Sequence, residues 1–181
     1  REDTALVSVM LVNNETGARF PVEEIAALLH DRPALLHTDA VQAFLKVPFT
    51  AASLGADYIT LSAHKIGGPK GVGALFAGGR AKVPQPLLYG GGQEAGTRPG
   101  TEATAQIAGF ARAVQLRLER REEIDAHIRD LNAYARERLA AIPDLRFIGA
   151  GDAPHILSVS LSGYPSQNIV SDLDAKGIFI S

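Results

Sequence analysis

The chain has 181 residues, of which 46% are hydrophobic and 21% charged, with a formal net charge of −2. That is enough apolar material for a sizeable core, and its mixed charge argues against nucleic acid or a membrane surface as a general partner. The absence of cysteine excludes disulfides and thiolate metal sites within this stretch.

Val7 to Val12 is a continuous apolar, β-branched run ending at Asn13-Asn14, the pattern of a strand buried on both faces of a parallel sheet. Pro21 opens a helix striped by Val22, Ile25, Ala26, Leu28 and Leu29, with Glu23 and Glu24 in its first turn, where the helix dipole favours acids. Further strands are expected at Ala34–His37, Tyr58–Leu61 and Gly73–Ala77, with a short helix near Ala51–Leu54. Strands alternating with short helices predict an α/β layered sheet. Pro84 to Gly100, rich in Gly and Pro, reads as a loop.

From Glu102 to about Ile142 a long helical pattern takes over, interrupted by the charged run Arg120 to Glu123, an exposed stretch or a bend. Pro143 ends it. Strands near Leu145–Ile148, Ile156–Leu161 and Ile178–Ile180, with a helix from Gln167 to Lys176 before Gly177, predict a smaller α+β piece. The expected division is residues 1–105 as part of a large domain, and 106–181 as a bridging helix with an incomplete small domain. The chain starts at Arg1 rather than Met, and both ends look cut, so a fragment of a longer enzyme is expected. No apolar run approaches the ~20 residues that span a bilayer, and no leader precedes the first strand, so a cytoplasmic setting is expected.

In open α/β sheets, ligands gather beyond the carboxyl ends of the strands. Asn13, Asp39 and the segment Ser62-Ala63-His64-Lys65 each sit at such an end, on three successive strands. A lysine there, flanked by a hydroxyl and an imidazole, is suited to form a Schiff base with a carbonyl cofactor. Pyridoxal phosphate needs such a lysine and an acid that keeps its pyridine nitrogen protonated, which is the role open to Asp39. Asn13 and Gln42 offer amide donors for the ring's phenolic oxygen, and Ser62 and His64 offer donors for the phosphate. Each residue also has a plainer role: Asp39 as a helix cap, Asn13 and Gln42 as turn residues, His64 as a structural histidine.

Four segments carry a resemblance: Val12 to Gly17, His37 to Gln42, Ser62 to Gly73, and Gly90 to Glu102 with its Gly-Gly-Gly-Gln-Glu motif. Over nearly the whole chain and in order, they resemble the class V aminotransferase group, and within it cysteine desulfurases of the NifS/IscS type. The resemblance implies a fold-type I pyridoxal phosphate enzyme, a homodimer with active sites near the subunit interface. It also implies that Lys65 carries the cofactor and acts in catalysis with His64 beside it. Asp39 would pair with the pyridine nitrogen, Asn13 and Gln42 would serve the phenolic oxygen, and Ser62 and His64 the phosphate. Thr101 would reach the phosphate of the neighbouring subunit's site, with Arg98 a weaker candidate there.

The implied reaction takes L-cysteine to L-alanine and leaves sulfur as a persulfide on a loop cysteine, for delivery to a sulfur-acceptor or scaffold protein in iron–sulfur cluster or thio-cofactor synthesis. That cysteine is expected after Ser181, so these 181 residues alone are expected to be inactive. The alternatives are another class V enzyme, either an aminotransferase or a selenocysteine lyase, and a non-catalytic nucleotide-binding or scaffold module. Gly67 to Gly73 prompts the nucleotide reading but matches neither Gly-x-Gly-x-x-Gly nor a P-loop.

Overall fold

The computed structural model describes residues 1–181. The apolar runs form a four-stranded sheet in the order β1 (Leu6–Met10), β2 (Leu35–Asp39), β3 (Tyr58–Ser62) and β4 (Gly73–Ala77). β1, β2 and β3 are parallel and β4 is antiparallel to β3, which makes a mixed α/β sheet. Helix α1 (Val22–Leu29) connects β1 to β2, and the short α2 (Ala51–Leu54) precedes β3. Thr50 and Ser53 cap α2 reciprocally, each side chain accepting from the other's backbone N–H.

The core lies on the face that bears Leu36 and Ile59, where Leu11, Val22, Ala43, Val47 and Leu54 join them, with Val7 packed against this cluster. The opposite face is more open: Leu6 is 53% and Met10 37% exposed. β1 is therefore not buried on both faces, contrary to the expectation from its apolar run. Its alternation of exposed and half-buried residues reflects cover on one side only.

The long helical pattern breaks at Arg120 (φ −110°, ψ 21°) into α3 (Thr104–Glu119) and α4 (Arg121–Leu139). Arg120 pairs there with Glu123, its Nη2 lying 2.6 Å from Oε1. Beyond α4, β5 (Leu145–Ile148) and β6 (Ser158–Leu161) form an antiparallel pair, and α5 spans Ser166–Asp174. Gly177, at φ 75°, ends this helix region, with Ile178 N–H donating to Leu173 O at 2.9 Å. The strand expected at Ile178–Ile180 does not form. Its β-rich composition has no neighbouring strand to pair with, and Phe179 is 81% exposed.

The connection between β5 and β6 folds back onto the large sheet. Ala153 is fully buried in its core, and Arg19 N–H donates to Asp152 Oδ2 at 3.1 Å. This return places His155 near the candidate site.

Candidate functional site

The three polar clusters lie at the carboxyl ends of three adjacent parallel strands. Asp39 is the last residue of β2, with Met10 of β1 on one side and Thr60 of β3 on the other. Asn13 follows β1, and its Nδ2 contacts the Met10 sulfur at 3.6 Å. Ser62 ends β3, and His64 and Lys65 follow in a 3₁₀ turn, Ala63–Ile66.

Asp39 and Asn13 serve their local turns with one atom each and leave another free. Asp39 Oδ1 accepts from Val41 N–H at 2.8 Å, and no hydrogen bond involves its Oδ2. Asn13 Oδ1 accepts from the Glu15 and Thr16 N–H groups at 2.9 Å each, which leaves Nδ2 with only the sulfur contact. The turn role therefore leaves a polar atom at each position open to a ligand.

Gly67 (φ 83°) closes the 3₁₀ turn, a left-handed conformation that suits glycine. Gly68 lies so close to the preceding segment that a Cβ there would be 2.9 Å from Ala63 Cβ. Such packing holds the turn that presents Lys65. Ser62 Oγ and His64 Nδ1 are 2.7 Å apart, and His64 and Lys65 are both exposed. Lys65 makes no ion pair. The glycine-rich segment leads into β4 and not into a helix, unlike a phosphate cradle of the P-loop kind.

Gln42 sits in the turn after β2, and Lys46 Nζ donates to its Oε1 at 3.1 Å. Burial, then the charges of Lys65 and Arg117, lower the Lys46 ammonium to a pKa of about 8. Arg117 is itself buried and pairs with Asp125 of α4. His155 completes the cluster. Neither of its ring nitrogens has a hydrogen-bond partner. Burial first, then the charge of Lys46, with smaller contributions from Arg117 and Lys65, lower its pKa to about 4 against an opposing effect of the Gln42 backbone.

A histidine kept neutral on folding binds its proton more readily when unfolded, so its contribution to stability is complete above pH ~6.5 and is lost towards pH 4. We expect His155→Leu to flatten the decline in melting temperature between pH 6.5 and 4.5; a wild-type slope that survives the substitution would exclude His155 as its source.

Sequence reasoning missed Lys46, Arg117 and His155. Only the four-residue spacing from Gln42 to Lys46 signalled one of them. Thr101 is exposed in the segment before α3, and its side chain makes no hydrogen bond within the chain. Arg98 donates to the Pro99 carbonyl at 3.1 Å. Neither side chain hydrogen-bonds to the cluster around Lys65.

The model of the "Aminotransferase class-V" family matches residues 1–181. The chain is 39% identical over 183 residues to cysteine desulfurase IscS of Clostridium botulinum strain Hall, covering 98% of this chain and 46% of that protein. It is 42% identical over 179 residues to selenocysteine lyase of Xenopus tropicalis, covering 89% and 41%. A solved NifS-like protein from Rickettsia africae superposes with a TM-score of 0.91 at 31% identity, over 98% of this chain and 50% of that one. The chain spans about half the length of the curated relatives it matches. Sequence and fold agree across the whole length: the chain belongs to the class-V aminotransferase family, with the fold-type I architecture of its pyridoxal phosphate enzymes.

Proposed function

We propose that the polypeptide to which these residues belong is a pyridoxal phosphate-dependent cysteine desulfurase. The observation that carries this reading is the meeting of Lys65, Asp39 and Asn13 at the ends of adjacent parallel strands, with Gln42 beside them. The free groups fit the cofactor. Asp39 has an oxygen to spare for a protonated pyridine nitrogen, and the Asn13 and Gln42 amides have unused N–H donors. Ser62 and His64 offer donors to a phosphate, and the exposed Lys65 beside them adds a positive charge that suits an anionic ligand. When bound, pyridoxal phosphate supplies an electron sink for the substrate's α-carbon.

Lys65 would hold the cofactor, and its Nζ, once displaced by the substrate amine, would be the base that moves the proton at the α-carbon of L-cysteine. The substrate's Cβ–S bond breaks, the sulfur passes to an enzyme thiolate as a persulfide, and the carbon skeleton takes up a proton to leave as L-alanine. These residues include no cysteine, so that thiolate comes from elsewhere in the polypeptide, and the 181 residues alone should release no sulfur. In a homodimer, exposed Thr101 would serve the phosphate of the partner's site. Residues 1–105 would form part of the cofactor domain, and 106–181 the bridging helices and part of the small domain. Delivery to a sulfur-acceptor or scaffold protein in the cytoplasm completes the proposal. No helix here is long and apolar enough to cross a membrane.

The full-length protein reconstituted with pyridoxal phosphate should show a visible absorption band and form alanine and persulfide from cysteine in equal amounts. A colourless protein would sink the cofactor reading. The 42% identical Xenopus relative favours a second reading, selenocysteine lyase. Turnover of selenocysteine without persulfide formation from cysteine would establish it instead.

A further inference from the structure

We propose that Lys46 is a positioning residue for the cofactor site, fixing the Gln42 side-chain amide so that its oxygen faces Lys46 and its NH₂ group faces the ligand. The inference rests on reading the site as one for pyridoxal phosphate. An ammonium has three donors and no acceptor, so only the amide oxygen of Gln42 can face Lys46 Nζ across their 3.1 Å contact. The orientation of the amide is thereby dictated by chemistry, with Nε2 left as the free donor. Gln42 makes no other side-chain hydrogen bond, so without Lys46 nothing in the structure would select one face of the amide. Fixing it before the ligand arrives removes an ordering cost from binding.

The backbone brings the two side chains together. After Asp39 the chain makes a helical turn, with Phe44 N–H donating to Ala40 O at 2.8 Å and Val47 N–H to Ala43 O at 3.0 Å. Lys46 is thus carried back over Gln42. Leu45, between them, takes a left-handed conformation at φ 57°, which is unfavourable for a branched side chain. Strain of this kind is found where the surroundings enforce a local geometry.

As a contributor to the fold, Lys46 is a poor choice. The charged groups near it are Lys65 from the turn after β3 and Arg117 from α3, and His155 comes from the β5–β6 connection. The nearby carboxylate, Asp125, is already paired with Arg117. A half-buried ammonium beside two other cations costs stability that a methionine of similar length would not. Its one hydrogen bond is to the residue that faces the ligand.

The test uses the full-length polypeptide and the variants Lys46→Met, Gln42→Ala and the double substitution. Two quantities are read: the melting temperature of the cofactor-free protein, and the dissociation constant for pyridoxal phosphate from titration of that protein. Lys46→Met should leave the melting temperature unchanged or raise it, yet weaken cofactor binding about tenfold. In the Gln42→Ala background it should add less than about twofold, because the group it acts through is gone. Lys46→Arg, which keeps a donor-only cation, should recover most of the affinity.

Unchanged affinity in Lys46→Met would overturn the inference, as would an equal loss in both backgrounds. A loss that follows a fall in melting temperature, and that arginine does not recover, would do the same. Should Lys46→Met not fold, Lys46→Arg and Lys46→Gln in the two backgrounds run the same cycle, with the same coupling expected for glutamine. A wild-type protein that takes up no pyridoxal phosphate sinks the reading of the site itself; one that binds while Lys46→Met is silent sinks only this inference.

Discussion

Lys65→Ala is expected to remove the visible band of the full-length, cofactor-loaded protein and to lower its turnover of cysteine by roughly 10⁴-fold or more, since both the anchor and the proton-moving base are lost. The fold should not notice. Lys65 is exposed and makes no ion pair, so the melting temperature of the cofactor-free protein should correspond to a change within about 0.5 kcal/mol. That split between unchanged stability and lost chemistry is what a loop lysine without a function cannot produce.

Asp39→Asn provides the graded companion. Asparagine still accepts the Val41 N–H that Asp39 Oδ1 receives, so the turn is kept while the negative charge is removed. A loss of about 10²–10³ in kcat/KM is expected, the scale for deleting one preorganised electrostatic partner. Equal rates for Asp39→Asn and wild type would rule out Asp39 as the partner of the ring nitrogen.

The candidate site was legible where the chemistry-bearing residues follow apolar runs. Asn13, Asp39 and Ser62 each end or follow a strand pattern, and parallel strands bring their carboxyl ends to one edge. What the residues of one chain do not reveal is cover and partnership. The run from Val7 to Val12 has the composition of a doubly buried strand, but composition is silent about whether anything packs on the second face. Ile178 to Ile180 has strand propensity, yet a strand exists only with a neighbour to hydrogen-bond. The break at Arg120 was visible as a charged run without a geometry, since apolar stripes continue on both sides of it. Lys46, Arg117 and His155 come from segments far apart in sequence, and only folding places their charges close enough to shift one another.

The opposite end of the sheet carries the largest expected effect on stability. Asp57 is only 3% exposed, just before β3, and its carboxylate ties β2 to the segment that follows β4. Its Oδ2 accepts from Leu36 N–H at 2.8 Å and from Arg80 Nη2 at 3.1 Å, and its Oδ1 accepts from Arg80 N–H at 3.1 Å. Arg80 in turn donates to the carbonyls of Arg32 at 2.6 Å and Ala34 at 3.0 Å. Asp57→Ala would leave a buried N–H and a guanidinium without their acceptor, a cost of about 3 kcal/mol. For a domain of this size that is a fall in melting temperature of roughly 10 °C.

The pH dependence gives the mechanism away. Burial pushes the Asp57 carboxyl up, but the hydrogen bonds from Leu36 and Arg80 and the arginine's charge outweigh it and hold the carboxyl below its usual range. A carboxyl lowered on folding stabilises fully above its unfolded pKa of ~3.9 and loses that contribution as the pH falls through its lower, folded value. The gap between wild type and Asp57→Ala should therefore be constant above about pH 5 and narrow below about pH 4. Cofactor affinity should change little, because these bonds lie at the amino ends of β2 and β3 while the candidate ligand groups lie at their carboxyl ends. If Asp57→Ala melted like the wild type, or lost its cofactor without losing stability, this separation of anchoring and chemistry between the two edges of the sheet would be wrong.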